Sequence, residues 1–160
     1  MASGGTTHKL QALLGEKTVL EHTLDAVRAS GLPWHLEDAG HPGMGDSIAA
    51  AVRATLSASG WLIVLGDLPL IQPNTLRALS EALLVHDVVV PTYRGSRGHP
   101  VGFSARCREL LVNLKGDQGA AEIVKGMGAA MLEMDDAGVI HDIDTVADLE
   151  QARRLMDLPV

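Results

Sequence analysis

The chain has one cysteine, Cys107, and its aromatic residues are two Trp, one Tyr and one Phe in 160 positions. A lone cysteine excludes an internal disulfide and fits a reducing compartment. No acid–base partner adjoins it in sequence, so Cys107 reads as a half-buried helical thiol and not as a nucleophile. The shortage of aromatics leaves the core to Leu, Val, Ile and Ala and argues against base-stacking platforms for single-stranded nucleic acid. Positive charge is also scarce: 13 Lys and Arg stand against 20 Asp and Glu, a net charge of −7. No basic stripe can track a phosphate backbone, so a nucleic-acid partner is not expected. A small anion is still within reach, through backbone amides and a bound cation. No apolar run approaches the ~20 residues of a membrane span, and no secretory leader is visible. The expectation is a cytoplasmic protein with no membrane partner.

What is present is an ordinary globular balance, 46% hydrophobic and 21% charged. The length suits one domain, residues 1–160, burying roughly two-thirds of its unfolded surface. Val19, Leu20, Leu24 and Val27 recur at helical spacing between Glu16 and Ser30, with Gly31 and Pro33 as the stop. A second helix is expected from Asp46 or Ser47, with Ile48, Val52 and Leu56 on one face. The loop between them allows a short strand at Trp34–Leu36. Trp61–Leu65 is a continuous apolar run of strand length, the pattern of a central strand covered on both faces. Pro73 and Asn74 open a helix with Leu76, Leu79 and Leu83 inward, and Asp87–Pro91 is a second buried strand stopped by proline. Tyr93–Phe103 reads as a Gly-punctuated loop leading into a strand. Helices follow at Ala105–Asn113 and Gln118–Lys125, then strands at Ala130–Met134 and Val139–Ile143. A last helix, Val146–Met156, starts from a capping box of Thr145 and Asp148. This alternation predicts a three-layer α/β domain with a mostly parallel sheet. In such sheets ligands bind beyond the carboxyl ends of the strands.

Asp67 occupies that position, directly after the apolar run and Gly66. A carboxylate there can ligate Mg²⁺, which prefers one or two carboxylates plus substrate phosphates; it can equally cap its own turn. Asp142 and Asp144 alternate with Ile143, which puts both acids on one side of an extended segment, where they repel unless a cation or donor lies between them. The alternative is a solvated Asp142 beside an Asp144 that merely precedes the capping box. Gly43, Gly45, Asp46 and Ser47 sit at the mouth of a helix, where backbone amides can meet a nucleotide. Arg94, Arg97 and His99 share a loop that can greet an anionic substrate. Gly116 and Asp117 form a tight turn, or a loop closing over a ligand.

In order and separation, VLGDLPLI, RGHPVGF, LKGDQGAAEIV and DIDTVADL resemble the motifs of the MobA-like nucleotidyltransferases, nearest to the molybdenum cofactor cytidylyltransferases. The resemblance spans nearly the whole chain and implies a Rossmann-like nucleotidyltransferase fold. It also implies transfer of CMP, or GMP, from CTP or GTP to the terminal phosphate of molybdopterin, with release of pyrophosphate. By that resemblance Asp67 and Asp144, with Asp142 beside them, hold Mg²⁺, and Lys9 contacts nucleotide phosphates. Gly4, Gly5, Gly45, Asp46, Ser47 and Gly66 line the nucleotide. Gly98, His99, Pro100, Gly116, Asp117 and Gly119 line the acceptor. A molybdoenzyme apoprotein, or its chaperone, would be the downstream partner. No side-chain nucleophile is needed, because the acceptor phosphate attacks and the protein positions and neutralises charge.

The match departs from the family at several places. The family opens on a buried strand running into a Gly-rich LAAGxxxR loop, whereas this sequence reads MASGGTTHKL, with no apolar strand and no arginine ahead of Lys9. The expectation is an abbreviated or degenerate member lacking the N-terminal strand and Gly-rich loop. Ala121 stands where the family has arginine after GDxGA, and Val146 and Ala147 replace Pro and Glu of DIDTPED. Two alternatives therefore stand beside the leading reading: a transferase for a sugar phosphate or other small phosphate acceptor, and a non-catalytic nucleotide or pterin carrier.

Overall fold

Residues 9–157 are described by a computed structural model. After helical backbone at residues 9–10, the described chain forms a two-stranded hairpin, β1 (Leu13–Leu14) and β2 (Lys17–Thr18), turned at Gly15, whose φ of +70° suits a residue without a Cβ. Helix α1 (Val19–Ala29) follows at once. Thr18 and Glu21 form a capping box that satisfies donors at its start. The remaining elements are α2 (Met44–Arg53), β3 (Gly60–Ile63), α3 (Pro73–Ala82), β4 (Val88–Tyr93), β5 (Ser96–Arg97), β6 (Val101–Ser104), α4 (Arg108–Val112), α5 (Ala121–Met127), β7 (Ala130–Glu133) and α6 (Val146–Leu155). A 3₁₀ turn leads into α4.

The main sheet runs β3-β6-β4-β5, with β7 on the other side of β4. Strands β3, β4 and β7 point one way, and β6 lies between β3 and β4 in the opposite sense. The sheet is therefore mixed, and β4–β7 is its parallel hydrogen-bonded pair. Chain length explains this: seven residues join β4 to β6, whereas a parallel return needs a crossover of about a dozen or more. Trp61, Phe103 and Val88 align across three strands and pack with Ile48, Val52, Leu111 and Ile123 of α2, α4 and α5. The opposite face meets α1 and α3 through Ala26, Leu68 and Leu76. A third apolar cluster joins Leu14, Val19, Ile143 and Ala152, which ties the hairpin to α6.

Several expectations are corrected. Among the described residues β3 pairs with β6 alone, at the end of the ladder and not at its centre. Residues 34–36 form no strand, since no neighbouring strand meets their backbone; Trp34 instead stacks beneath the Arg28 guanidinium at 5.3 Å. Helix α2 begins at Met44, ahead of Asp46, and ends before Leu56, which is exposed. Proline does not stop β4: Pro91 pairs in register with Leu132 and its carbonyl accepts from the Gly98 N–H at 2.8 Å, so only one donor is forfeited. The expected strand Val139–Ile143 is a 3₁₀ turn over Ala137–Ile140 followed by chain with no regular secondary structure. The buried Asp136 carboxylate causes it, accepting from Gly138 N–H, Gln72 N–H and the Thr75 hydroxyl.

Candidate active site

Beyond β3 the chain carries Gly66 and Asp67 to the end of the sheet, where three contacts fix them. The Thr23 hydroxyl of α1 donates to the Gly66 carbonyl at 2.9 Å, and the Ile143 N–H donates to the Asp67 carbonyl at 2.9 Å. Leu20 and Leu10 close over Gly66, where an added Cβ would lie 2.9 Å from Leu20 Cδ1. Leu68, next along, is fully buried. Asp67 is thus anchored on both sides, and only 8% of it is exposed.

Its carboxylate meets a cation. Lys9 Nζ lies 3.5 Å from Asp67 Oδ2 and 2.9 Å from Asp144 Oδ1, bridging segments far apart in sequence. Asp67 Oδ1 is buried with no hydrogen-bond partner. Burial pushes the Asp67 carboxyl above the usual carboxylate range; Lys9 counteracts this in part, and the nearby Asp142 charge adds to it. Burial opposes the charge on Lys9, but the hydrogen bond it donates to Asp144 and the charges of both acids together raise its pKa above the ordinary value. Asp144, with its side chain 74% exposed, is held by its backbone: its N–H and that of Thr145 donate to Asp148 Oδ2 at 3.0 and 2.9 Å. The Asp144 N–H foremost draws the Asp148 carboxyl below the usual range. The capping box of α6 therefore orients the second acid as well as starting the helix.

The donor set suits a divalent cation completed by substrate. Through Oδ2 the Asp67 carboxylate faces a second acid across a positive charge, and its buried Oδ1 is left unpartnered, so the geometry already accommodates a cation. Among the described residues no three His, Cys, Asp or Glu side chains gather closely enough to hold a metal on their own. Mg²⁺ asks for less, one or two carboxylates plus phosphates. Asp142 acts on Asp67 as a neighbouring charge, and with His141, Asp144 and Asp148 it lines a cleft of about 370 Å³.

The other predicted residues fall into two further groups. Gly43 and Gly45, at the start of α2, press against the Lys115–Gln118 loop: the Gly45 N–H donates to the Gly116 carbonyl at 2.8 Å, so that amide is already taken. A Cβ on Gly43 would lie 2.2 Å from the Gly116 carbonyl and 2.7 Å from Asp117 N. Asp46 and Ser47 lie in the first turn of α2, where the Ser47 N–H bonds the Gly43 carbonyl; Gly119 faces open space. Gly98 and His99 pack on the 3₁₀ turn, the His99 N–H donating to the Val139 carbonyl at 2.8 Å; Pro100 beside them is buried. Gly4 and Gly5 lie outside the described residues. Thr23 was not legible in sequence, because a helical threonine ordinarily bonds its own i−4 carbonyl. Asp148 was read as a cap, and its hold on Asp144 follows from the same bonds.

The model for MobA-like NTP transferase domains matches residues 23–134. The chain belongs to that family. This MobA-like domain is 36% identical over 119 residues to the purine catabolism protein PucB of Bacillus subtilis, covering 71% of this chain and 58% of that protein. It thus spans less than two-thirds of the curated relative's length. Its fold superposes on Rv0371c of Mycobacterium tuberculosis in complex with manganese, with TM-score 0.78, 25% identity and 92% of each chain covered. It also matches the fold of molybdopterin-guanine dinucleotide biosynthesis protein A from Archaeoglobus fulgidus, at TM-score 0.65 and 16% identity, over 93% of this chain and 90% of that one. Among the described residues no helix is long and apolar enough to cross a membrane.

Proposed function

We propose that this MobA-like domain transfers CMP, or GMP, from the nucleoside triphosphate to the terminal phosphate of molybdopterin and releases pyrophosphate. The observation that carries the reading is the Lys9 ammonium held between Asp67 and Asp144 while Asp67 Oδ1 lacks a partner. Asp67 and Asp144 would hold Mg²⁺ or Mn²⁺; a manganese complex of the similarly folded Rv0371c supports a divalent ion. When bound, the ion neutralises charge on the triphosphate and polarises its phosphoryl oxygens. Lys9, released from the acids, turns to the phosphates and offsets charge on the leaving pyrophosphate. The start of α2 and the Lys115–Gln118 loop, joined backbone to backbone, offer one surface for nucleotide and acceptor together. Gly98 and His99 border the acceptor, and the acceptor phosphate serves as the nucleophile.

Within this reading the molybdenum cofactor product would serve an apo-molybdoenzyme, and the name of the relative PucB favours an enzyme of purine breakdown as its recipient. Pyrophosphate release measured with CTP and with GTP, each with molybdopterin and with a panel of sugar phosphates, tests the proposal. Turnover with molybdopterin alone supports it. Turnover with a sugar phosphate alone moves the acceptor, and no turnover with any pair leaves the carrier reading.

A further inference from the structure

We infer that Thr23 is a positioning residue for the metal-binding carboxylate of Asp67, acting through the Gly66 carbonyl. The inference rests on the reading of Asp67 as a metal ligand. Thr23 lies in the second turn of α1 and is 2% exposed. Its hydroxyl is 2.9 Å from the Gly66 carbonyl and 3.1 Å from that of Val19, its own i−4 residue. A hydroxyl has one proton to donate. The Val19 carbonyl already has a backbone partner inside the helix, whereas Gly66 lies in neither helix nor strand and no backbone N–H among the described residues reaches its carbonyl. The proton is therefore worth more on Gly66, where it meets an otherwise unmatched acceptor.

That carbonyl belongs to the peptide joining Gly66 to Asp67. Glycine at this point leaves the peptide free to rotate unless something holds it. Thr23 holds this peptide, and the Ile143 N–H holds the next one, at the Asp67 carbonyl. Between these two bonds the Asp67 Cα–Cβ direction is set, the base from which the carboxylate meets Lys9 through Oδ2 while Oδ1 has no partner of its own. Thr23 touches neither metal nor substrate in this account; it holds the ligand that does.

The test is Mn²⁺ binding to the full chain, followed by the electron paramagnetic resonance of the free ion, at a temperature well below the unfolding midpoint of each variant. Thr23→Val keeps the shape and removes the donor; Thr23→Ser keeps the donor and removes a methyl; Asp67→Asn is the reference for lost ligation. Affinity should fall about tenfold or more in Thr23→Val, the range for residues that orient a ligand, and return to within about twofold of wild type in Thr23→Ser. A merely structural role would track thermal stability, which Thr23→Ser also lowers. If Thr23→Val does not fold, Thr23→Ala against Thr23→Ser makes the same comparison of donor absent and present. Unchanged affinity in Thr23→Val while Asp67→Asn loses binding overturns the positioning role alone. No Mn²⁺ binding by the wild type, or full binding by Asp67→Asn, overturns the metal reading and this inference with it.

Discussion

Replacing Gly45 by alanine sets two physical effects against each other, and the structure decides the sign. Gly45 is in the first turn of α2, where helix propensity alone favours alanine by about 1 kcal/mol. The added Cβ, however, would sit 2.3 Å from the Gln118 carbonyl oxygen and 2.8 Å from that of Lys115. Both obstacles are backbone and cannot swing away, so α2 or the loop must move by roughly 1 Å, at about 1–3 kcal/mol for overpacking. The Gly45 N–H to Gly116 carbonyl bond is strained by that movement, which adds about 1 kcal/mol if it is lost. The net is a destabilisation of about 1–3 kcal/mol, or a fall in Tm of roughly 2–12 °C for a domain of this size. Gly126 in α5 is the control, since a Cβ there meets nothing within 4 Å. Gly126→Ala should raise Tm, with propensity unopposed. Differential scanning calorimetry on both variants reads the two signs. A Gly45→Ala protein as stable as Gly126→Ala would refute the close apposition of α2 and the Lys115–Gln118 loop.

Glu133 accepts from the Thr92 hydroxyl at 2.7 Å and the Arg94 N–H at 2.8 Å, and these bonds, the hydroxyl first, draw its carboxyl below the usual range. A depressed carboxyl stabilises the fold above its unfolded pKa and loses that contribution as pH falls through the folded one. Glu133→Gln should therefore lower Tm near neutrality, with the gap to wild type closing below pH about 4; a gap that widens in acid contradicts the assignment. Lys9→Met should tighten Mn²⁺ binding without nucleotide, on the order of tenfold, because the ammonium no longer competes for Asp67 and Asp144. Unchanged affinity in the Mn²⁺ titration would remove Lys9 from between the acids.

Features written in local sequence were legible, and those that depend on distant partners were not. The Trp61–Ile63 part of β3, helix α3 after Pro73 and the Thr145–Asp148 capping box follow from runs, proline and spacing within a few residues. The apolar Val139-Ile140 pair looked like a strand, yet Asp136, bonded to Gln72 and Thr75 some 60 residues earlier, coils it into a 3₁₀ turn. Short apolar runs do not distinguish these outcomes by periodicity. The hairpin of β1 and β2 escaped notice because each strand is two residues long. The site shows the same division. Asp67 stood out by its place after a buried run, but the contacts of Lys9 with Asp67 and with Asp144 span 58 and 135 residues and were legible only through family motifs. Gly45 and Gly116, assigned by motif to nucleotide and acceptor, prove to be directly bonded to each other, which spacing alone does not reveal.

The most direct test of metal-dependent nucleotidyl transfer is pyrophosphate release from CTP and molybdopterin by wild type and Asp67→Asn, with divalent metal removed by chelation and then restored. The account predicts wild-type release that stops on chelation and returns with Mg²⁺ or Mn²⁺. It predicts a loss of at least about a hundredfold in Asp67→Asn that added metal does not repair, as befits loss of an electrostatic contact made at the transferring phosphate. Release that survives chelation, or an Asp67→Asn protein as active as wild type, would contradict it.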